Sequence, residues 1–543
     1  MKPSARALWN PIPSAALLTA ILLLGFALRV VYLTTDRFHA DEALYAGWAL
    51  LIPDGDPLLL SVPVDKPPLY LYALAGSLRV FGRSEVAARL PSLASSVLGI
   101  ALLYRLGRRL YGQGAGTLAA LFLALSPFDI LFARTAFTDS MLVMWMLAAL
   151  YAVSKGRWFV TGLALGLAFA TKQHALFLAP LVIAVGWMRP GTSREGSCAT
   201  ASCLPDPPDA RSSAGAIRRE RIRREAKGLL ACALSFALPL SGVIAWDSTR
   251  WADRPGYWHQ SALSYGGLVW APFAEWGERL AEWAGWSRYL AGSPVLALLL
   301  VAGITALLAH GWRRHPGDRR TWLDTTFAAY ALGYLVAHIV LRFSVWDRYL
   351  LPLAPLAALL LARIVVWIGQ GARRGSDQSR QETAPTHPLL RALRVSVVSL
   401  LLLSALLSAW RAAHNGYPVG GEHWAYQGLD QVAAYLRQNA PPGAVIYHHW
   451  LRWHYTYYLY DAGFELRWWE SGDHLRREAL RTPERAQYIV LPDWRTLEPD
   501  AEGIAFQPVY EARRRDGSVS LTVYRVEPQQ LASPVDRAEK GSE

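Results

Sequence analysis

The run AALLTAILLLGFALRVVYL (Ala15–Leu33) carries one charged side chain and no acid. At 1.5 Å per helical residue it is about long enough to cross a hydrocarbon core of ~30 Å. Comparable runs recur at Leu229–Trp246, Ser293–Ala309, Leu350–Ile368 and Val395–Trp410. One such run also fits a buried helix of a soluble protein. Many of them, separated by short polar loops in a chain that is 53% hydrophobic, predict a polytopic membrane protein.

The formal charge of +13 would point to nucleic acid in a soluble protein. Here the basic residues sit at the ends of apolar runs, and the cluster Arg218–Lys227 has no interleaved aromatics. Both features favour a membrane-orientation role and no nucleic-acid partner. Cys198, Cys203 and Cys232 suggest neither a disulfide framework nor a zinc site. The first apolar run lacks a small-residue cleavage site and reads as a retained span.

With the N-terminus cytoplasmic, the chain alternates through about 11 transmembrane helices: 15–33, 86–104, 116–132, 139–153, 158–170, 175–188, 229–246, 292–309, 323–341, 349–368 and 393–411. The first outer loop, 34–85, includes an apolar helix at Pro67–Phe81 that is expected to lie at the membrane surface. This arrangement puts nearly every arginine-rich loop in the cytoplasm, as the positive-inside rule requires. The loop 189–227 is cytoplasmic and expected to be disordered before its basic end. Residues 1–411 thus form an all-α transmembrane domain. Residues 412–543 differ: a helix is expected at Gln427–Gln438 and strands at Ala444–Tyr447, Tyr488–Leu491 and Val519–Val526. They predict a small α/β domain outside a cell (cytoplasmic) membrane. No internal repeat is evident, which disfavours a transporter built from two related halves.

The first outer loop contains His39-Ala40-Asp41-Glu42-Ala43-Leu44-Tyr45 and Val64-Asp65-Lys66-Pro67-Pro68-Leu69-Tyr70. Phe81-Gly82-Arg83-Ser84-Glu85 and Ala88-Arg89-Leu90-Pro91-Ser92 follow. Tyr104–Leu110 with Gly112, Leu125-Ser126-Pro127-Phe128, Thr138-Asp139, Thr171-Lys172 and Arg348-Tyr349-Leu350-Leu351-Pro352 come after them in order. This series resembles the polyprenyl-phosphate-sugar-dependent transferases of the C-type glycosyltransferase fold. That family includes protein O-mannosyltransferases and lipid A aminoarabinose transferases. The resemblance extends over roughly residues 15–365 and leaves the C-terminal part uncovered.

The resemblance implies a sugar donor on a polyprenyl phosphate, used at the outer face of the bilayer, and an acceptor hydroxyl on a lipid, protein or glycan. Such chemistry needs a base for the acceptor proton and cations for the departing phosphate. Asp41 is the candidate base, with Glu42 beside it; the plainer role for Asp41 is the N-cap of a helix starting near Glu42. Lys66 is the candidate phosphate ligand, joined by Lys172 and by the Arg348–Tyr349 pair. The chain has 55 lysines and arginines, of which only six are lysine, so Lys66 and Lys172 at membrane edges stand out against the arginine bias. The alternative is an interfacial cation reaching for water. Asp65 would steady Lys66 or, as in relatives, contact a divalent metal; no cofactor is otherwise implied. Asp139 would cap its helix or steer Arg134 or a donor hydroxyl. Among the aromatics of 247–290, His259 is a further candidate. His448, His449 and His454 read as surface or core residues. Two competing functions are a lipid-linked sugar flippase and a catalytically silent scaffold. A flippase would need charges along a path across the membrane.

Overall fold

The computed structural model describes residues 14–189, 210–252, 254–266, 268–378, 388–422, 424–494 and 504–528. The elements run α1 (Ser14–Val30), α2 (Ala40–Leu51), α3 (Leu69–Phe81), α4 (Glu85–Tyr111), α5 (Gln113–Ala124), α6 (Pro127–Ala133), α7 (Asp139–Ser154), α8 (Trp158–Thr171), α9 (Ala179–Trp187) and α10 (Ala210–Ser248). They continue with α11 (Tyr257–Tyr265), α12 (Trp276–Ser287), α13 (Pro294–Arg314), α14 (Arg319–Val340), α15 (Ala354–Gln378) and α16 (Pro388–Ala413). The last elements are α17 (Leu429–Asn439), β1 (Val445–His448), α18 (Arg452–Tyr458), β2 (Glu465–Trp468), α19 (Gly472–Leu480), β3 (Gln487–Pro492), β4 (Ile504–Arg513) and β5 (Val519–Pro528). Short 3₁₀ turns at Gln173–Leu178 and Asp347–Leu353 lead into α9 and α15. Two compact units result. One comprises Met1–Val31, Leu58–Ala73 and Arg89–Gly420; the other comprises Tyr32–Pro57, Leu74–Ala88 and Gly421–Glu543.

The first unit is helical, and each expected crossing but 116–132 coincides with a helix or a helix with its 3₁₀ turn. Among the described residues six helices are long and apolar enough to cross a membrane, or seven if the bent pair α5 and α6 is one span. This is the composition of a multi-pass membrane protein. The helices α1, α7, α8 and α9 with its 3₁₀ turn are shorter, so length and composition support fewer crossings than the eleven expected. Cys198, Cys203 and the first part of the 189–227 loop lie outside the described residues; from Ala210 the chain is already helical, in α10.

The expected span 116–132 is not straight. It breaks after Leu125 and bends by 56° at Pro127, whose ring has no N–H to continue a helix. The break leaves the last carbonyls of α5 without intrahelical donors. Arg29 of α1, wholly buried, supplies them: it donates to Ala124 O at 3.0 Å and Leu123 O at 3.1 Å. The same guanidinium pairs with Asp129 of α6 at 2.5 Å and Ser96 of α4 at 2.7 Å. A charge inside an apolar bundle is retained here because every arm of it is bonded.

Helix α8 packs on α10 through Gly162 and Gly166, one helical turn apart. A Cβ at Gly162 would collide with the Cys232 carbonyl and the Ser235 hydroxyl; one at Gly166 would lie 2.9 Å from Phe236 O. Small residues at this spacing let apolar helices approach backbone to backbone. Gly162→Leu should therefore cost about 3 kcal/mol of unfolding stability in detergent. Gly333→Ala, with nothing within 4 Å of its Cβ in the middle of α14, should not lower stability. Equal stability of the two variants would contradict this packing account.

The second unit carries a five-stranded sheet of order β2-β1-β3-β5-β4. β1 runs parallel to β2 and β3, and β5 runs antiparallel to β3 and β4. Alternation sorts the strand residues into two layers. Ile446, Tyr488, Val490, Leu521 and Val523 pack with α17 and α18, while Val445, Tyr447, Ile489 and Leu491 pack with α19.

Candidate active site

In the first unit, Asp65 and Lys66 lie in an irregular segment before α3. That segment is gripped from the α10–α11 connection. Arg250, 1% exposed, donates to Leu59 O and, at 2.7 Å, to Val62 O. Arg254 donates to Leu60 O and Ser61 O, both at 2.9 Å. Leu59 is buried with φ of +55°, a conformation costly for a branched side chain and held by its surroundings. The arginines thus fix the backbone a few residues ahead of Lys66.

Lys66 is buried. Its Nζ bonds Asp65 Oδ2 at 3.0 Å and lies 4.0 Å above the ring of Tyr265, the last residue of α11. Lys172 ends α8, where the backbone turns extended. Its Nζ pairs with Asp139, the first residue of α7, at 2.6 Å, and lies 4.5 Å over Tyr349. Arg348 is also buried, sandwiched by Phe137 at 5.2 Å and Trp346 at 4.9 Å. His174 links them: its ring stacks on Tyr349 at 4.5 Å and lines the same cavity as Tyr265, the ring under Lys66. The structure therefore brings Lys66, Lys172, Arg348 and Tyr349 together, with Asp65 and Asp139 as partners of the lysines.

The other expectations fare differently. Arg134 does not pair with Asp139 among the bonds described. It donates to Val31 O at 2.8 Å, Ala413 O at 2.9 Å and Ala412 O at 2.9 Å, tying together the ends of α1 and α16. His259 is exposed on α11. Among the described residues no group of three His, Cys, Asp or Glu is placed to hold a metal ion. Asp65 turns one carboxylate oxygen towards Lys66.

His174 was not legible as a site residue, although it follows the Thr171-Lys172 motif by two positions. Both its ring nitrogens, and Asp65 Oδ1, are buried without a hydrogen-bond partner among the described residues. Buried polar atoms left unpaired mark places where a ligand or water completes the structure. His174 also lines a cavity of about 380 Å³ with Phe177, Trp258, Tyr265 and Phe343, which is mostly apolar.

Asp41 and Glu42 belong to the second unit. The N-cap of α2 is His39, not Asp41: His39 Nδ1 accepts the Asp41 N–H at 3.2 Å. Buried Glu42 reaches back to accept the His39 N–H at 2.9 Å, completing a capping box. The Asp41 carboxylate is thus not the cap. The turn before it is stapled by α18. Phe38, wholly buried, donates its N–H to Tyr458 Oη at 3.1 Å and accepts from His454 Nε2 at 3.0 Å. Helix α2 then lies on α18, with Trp48 against Trp453 at 5.9 Å.

Burial pushes the His454 imidazole down to about 4 from the usual 6.5, because desolvation of the charged ring outweighs its bond to Phe38 O. Between these pH values the unfolded chain binds a proton that the folded one does not. Its contribution is complete above about pH 6.5 and is lost as pH falls towards 4, by about 3 kcal/mol. Amide exchange of residues 36–42 should therefore be flat above pH 6.5, after correction for intrinsic rates, and should lose protection towards pH 4. Protection that rises on acidification would contradict this.

The comparisons with known proteins bear on this same region. Residues 65–194, which contain Asp65, Lys66, Asp139 and Lys172, match the family model for dolichyl-phosphate-mannose-protein mannosyltransferase. YycA of Bacillus subtilis (strain 168), named as a mannosyltransferase, is 37% identical over 124 residues. Over this segment the chain is similar to the polyprenyl-phosphate-sugar-dependent glycosyltransferases. An undecaprenyl phosphate-alpha-4-amino-4-deoxy-L-arabinose arabinosyl transferase of Pseudomonas aeruginosa (strain UCBPP-PA14) is 29% identical over 192 residues. These matches take in 22% and 31% of this chain, and 18% and 34% of the relatives' own lengths. The likeness in fold extends much further. The crystal structure of ArnT from Cupriavidus metallidurans superposes over 94% of this chain and 97% of its own, with a TM-score of 0.56 at 16% identity.

Proposed function

We propose that this chain is a membrane glycosyltransferase that moves a monosaccharide from a polyprenyl-phosphate carrier to an acceptor hydroxyl at the outer face of a cytoplasmic membrane. The observation that carries the reading is the buried cluster of Lys66, Lys172 and Arg348, with both lysines inside the segment that matches the family model. Cations arranged in an apolar surrounding suit a phosphate whose lipid tail remains in the bilayer. The solved structure of ArnT bound to undecaprenyl phosphate supports the same choice of carrier. The cavity beside His174 and Tyr265 would take the first apolar units of the carrier.

In the reaction we infer, the acceptor oxygen forms a bond to the anomeric carbon as the bond from that carbon to the phosphate oxygen breaks. The bonding electrons leave with the phosphate. Lys66, aided by Lys172 and Arg348, stabilises the charge that builds there. The acceptor proton passes to Asp41, and the anomeric centre inverts. Glu42 holds the turn that presents Asp41. The N-terminus is cytoplasmic and the domain of residues 412–543 lies outside.

The test is direct. The purified chain is incubated in detergent with radiolabelled polyprenyl-phosphate sugars and a panel of lipid, protein and glycan acceptors. Saturable donor binding with transfer to a hydroxyl is expected. Absence of donor binding at every metal concentration would end the proposal, and donor transport into vesicles without transfer would favour a flippase.

A further inference from the structure

A second cluster of cations occupies the far end of α7. Asp139, at the start of that helix, holds Lys172; Lys155 follows its last residue. The helix has 16 residues, so the two positions are about 24 Å apart along it. At the Lys155 end a cavity of about 580 Å³ is lined by Arg105, Arg108, Arg109, Lys155, Tyr104 and Tyr151, with the start of α1 closing one side.

The three arginines stand at i, i+3 and i+4 on α4, so they share one face of that helix. Like charges at this spacing repel each other. Among the described residues none of the four cations pairs with a carboxylate. The lining contains no acid, and residues 1–13 carry none either. Lys155 lies 4.6 Å over the Tyr151 ring, and Arg109 Nε donates to Ser154 O at 3.3 Å, so two helices hold the charges towards one concavity. Membrane orientation alone needs charge on one side of a span, and spreading it along a loop would serve equally. Convergence on a cavity lined by guanidinium forks, an ammonium and phenols is the chemistry that recognises a phosphate.

We propose that this cavity binds a phosphate-bearing anion, at a site separate from the cluster around Lys66. The anion is either the headgroup of an anionic phospholipid or a free phosphate. The purified full chain is titrated with dihexanoyl phosphatidylglycerol and, separately, with sodium phosphate at fixed ionic strength, and thermal unfolding is followed. A saturable rise in Tm with the lipid alone assigns a headgroup; a rise with both assigns the phosphate itself. Changing Arg105, Arg108 and Arg109 together to Lys keeps the charge that membrane insertion needs and loses the forks. It should raise the midpoint concentration at least tenfold, while Lys66→Met leaves it unchanged. No saturable rise with either probe, or an unshifted midpoint in the triple lysine variant, overturns the proposal.

Discussion

Asp41→Asn should lower sugar transfer by about 10³-fold while donor affinity stays within about threefold of wild type. The amide keeps the size and the position in the first turn of α2, and His39 and Glu42 still cap the helix. What it loses is the ability to accept the acceptor's proton. Helix stability should hardly change, because the cap does not depend on this carboxylate. Transfer by the variant at the wild-type rate would remove Asp41 from the mechanism. A loss of donor binding equal to the loss of transfer would make it a donor ligand instead.

Lys66→Met should weaken donor binding by roughly 10² to 10³-fold, and transfer with it. Two effects add. The phosphate loses a charge-assisted contact in a surrounding with little water. Asp65, buried and bonded to Lys66, is left as a buried acid without its cation, a change typically worth about 3–5 kcal/mol. The double variant Lys66→Met with Asp65→Leu removes that second penalty. It should recover stability and leave donor binding weak. Recovery of binding in the double variant would show that Lys66 serves the fold and not the phosphate. The pair Asp139–Lys172 gives a smaller case: Asp139→Asn should cost about 2 kcal/mol, read as a lower unfolding midpoint, since the neutral amide can still accept from the ammonium.

Apolar runs long enough to cross a bilayer were legible because nothing but burial or lipid explains them. The bend at Pro127 was not, although the proline is plain in the sequence. A helix breaks there because Arg29, about a hundred positions away, can satisfy the freed carbonyls. β1, β3 and β5 showed as β-branched and aromatic runs. β2 and β4 did not: Glu465–Trp468 is an edge strand without a buried face, and Ile504–Arg513 contains Pro508, accommodated at a register shift on the other edge. The first outer loop read as one segment, yet the structure divides it between the two units. Its turn at Phe38 is fixed by His454 and Tyr458, so no local pattern could reveal it.

At the site, the lysines were visible because the chain otherwise uses arginine. Asp65 and Asp139 were visible as neighbours of motifs. His174 was hidden because a histidine in an apolar stretch is usually a satisfied core residue, and only its unpaired ring nitrogens set it apart. Arg250 and Arg254 were hidden for another reason. Their contribution is to bond backbone carbonyls of residues 59–62, and a carbonyl leaves no mark in a sequence.

The decisive measurement is where a reactive carrier headgroup lands. A polyprenyl-phosphate analogue with an amine-reactive group at its phosphate end is incubated with the purified chain, and the modified lysine is mapped by mass spectrometry. Few lysines compete, so the assignment is clean. Modification concentrated on Lys66 and suppressed by excess undecaprenyl phosphate is the predicted result. Modification spread over Lys155 and Lys227, or modification of Lys66 that undecaprenyl phosphate fails to suppress, would contradict the placement of the carrier phosphate at Lys66.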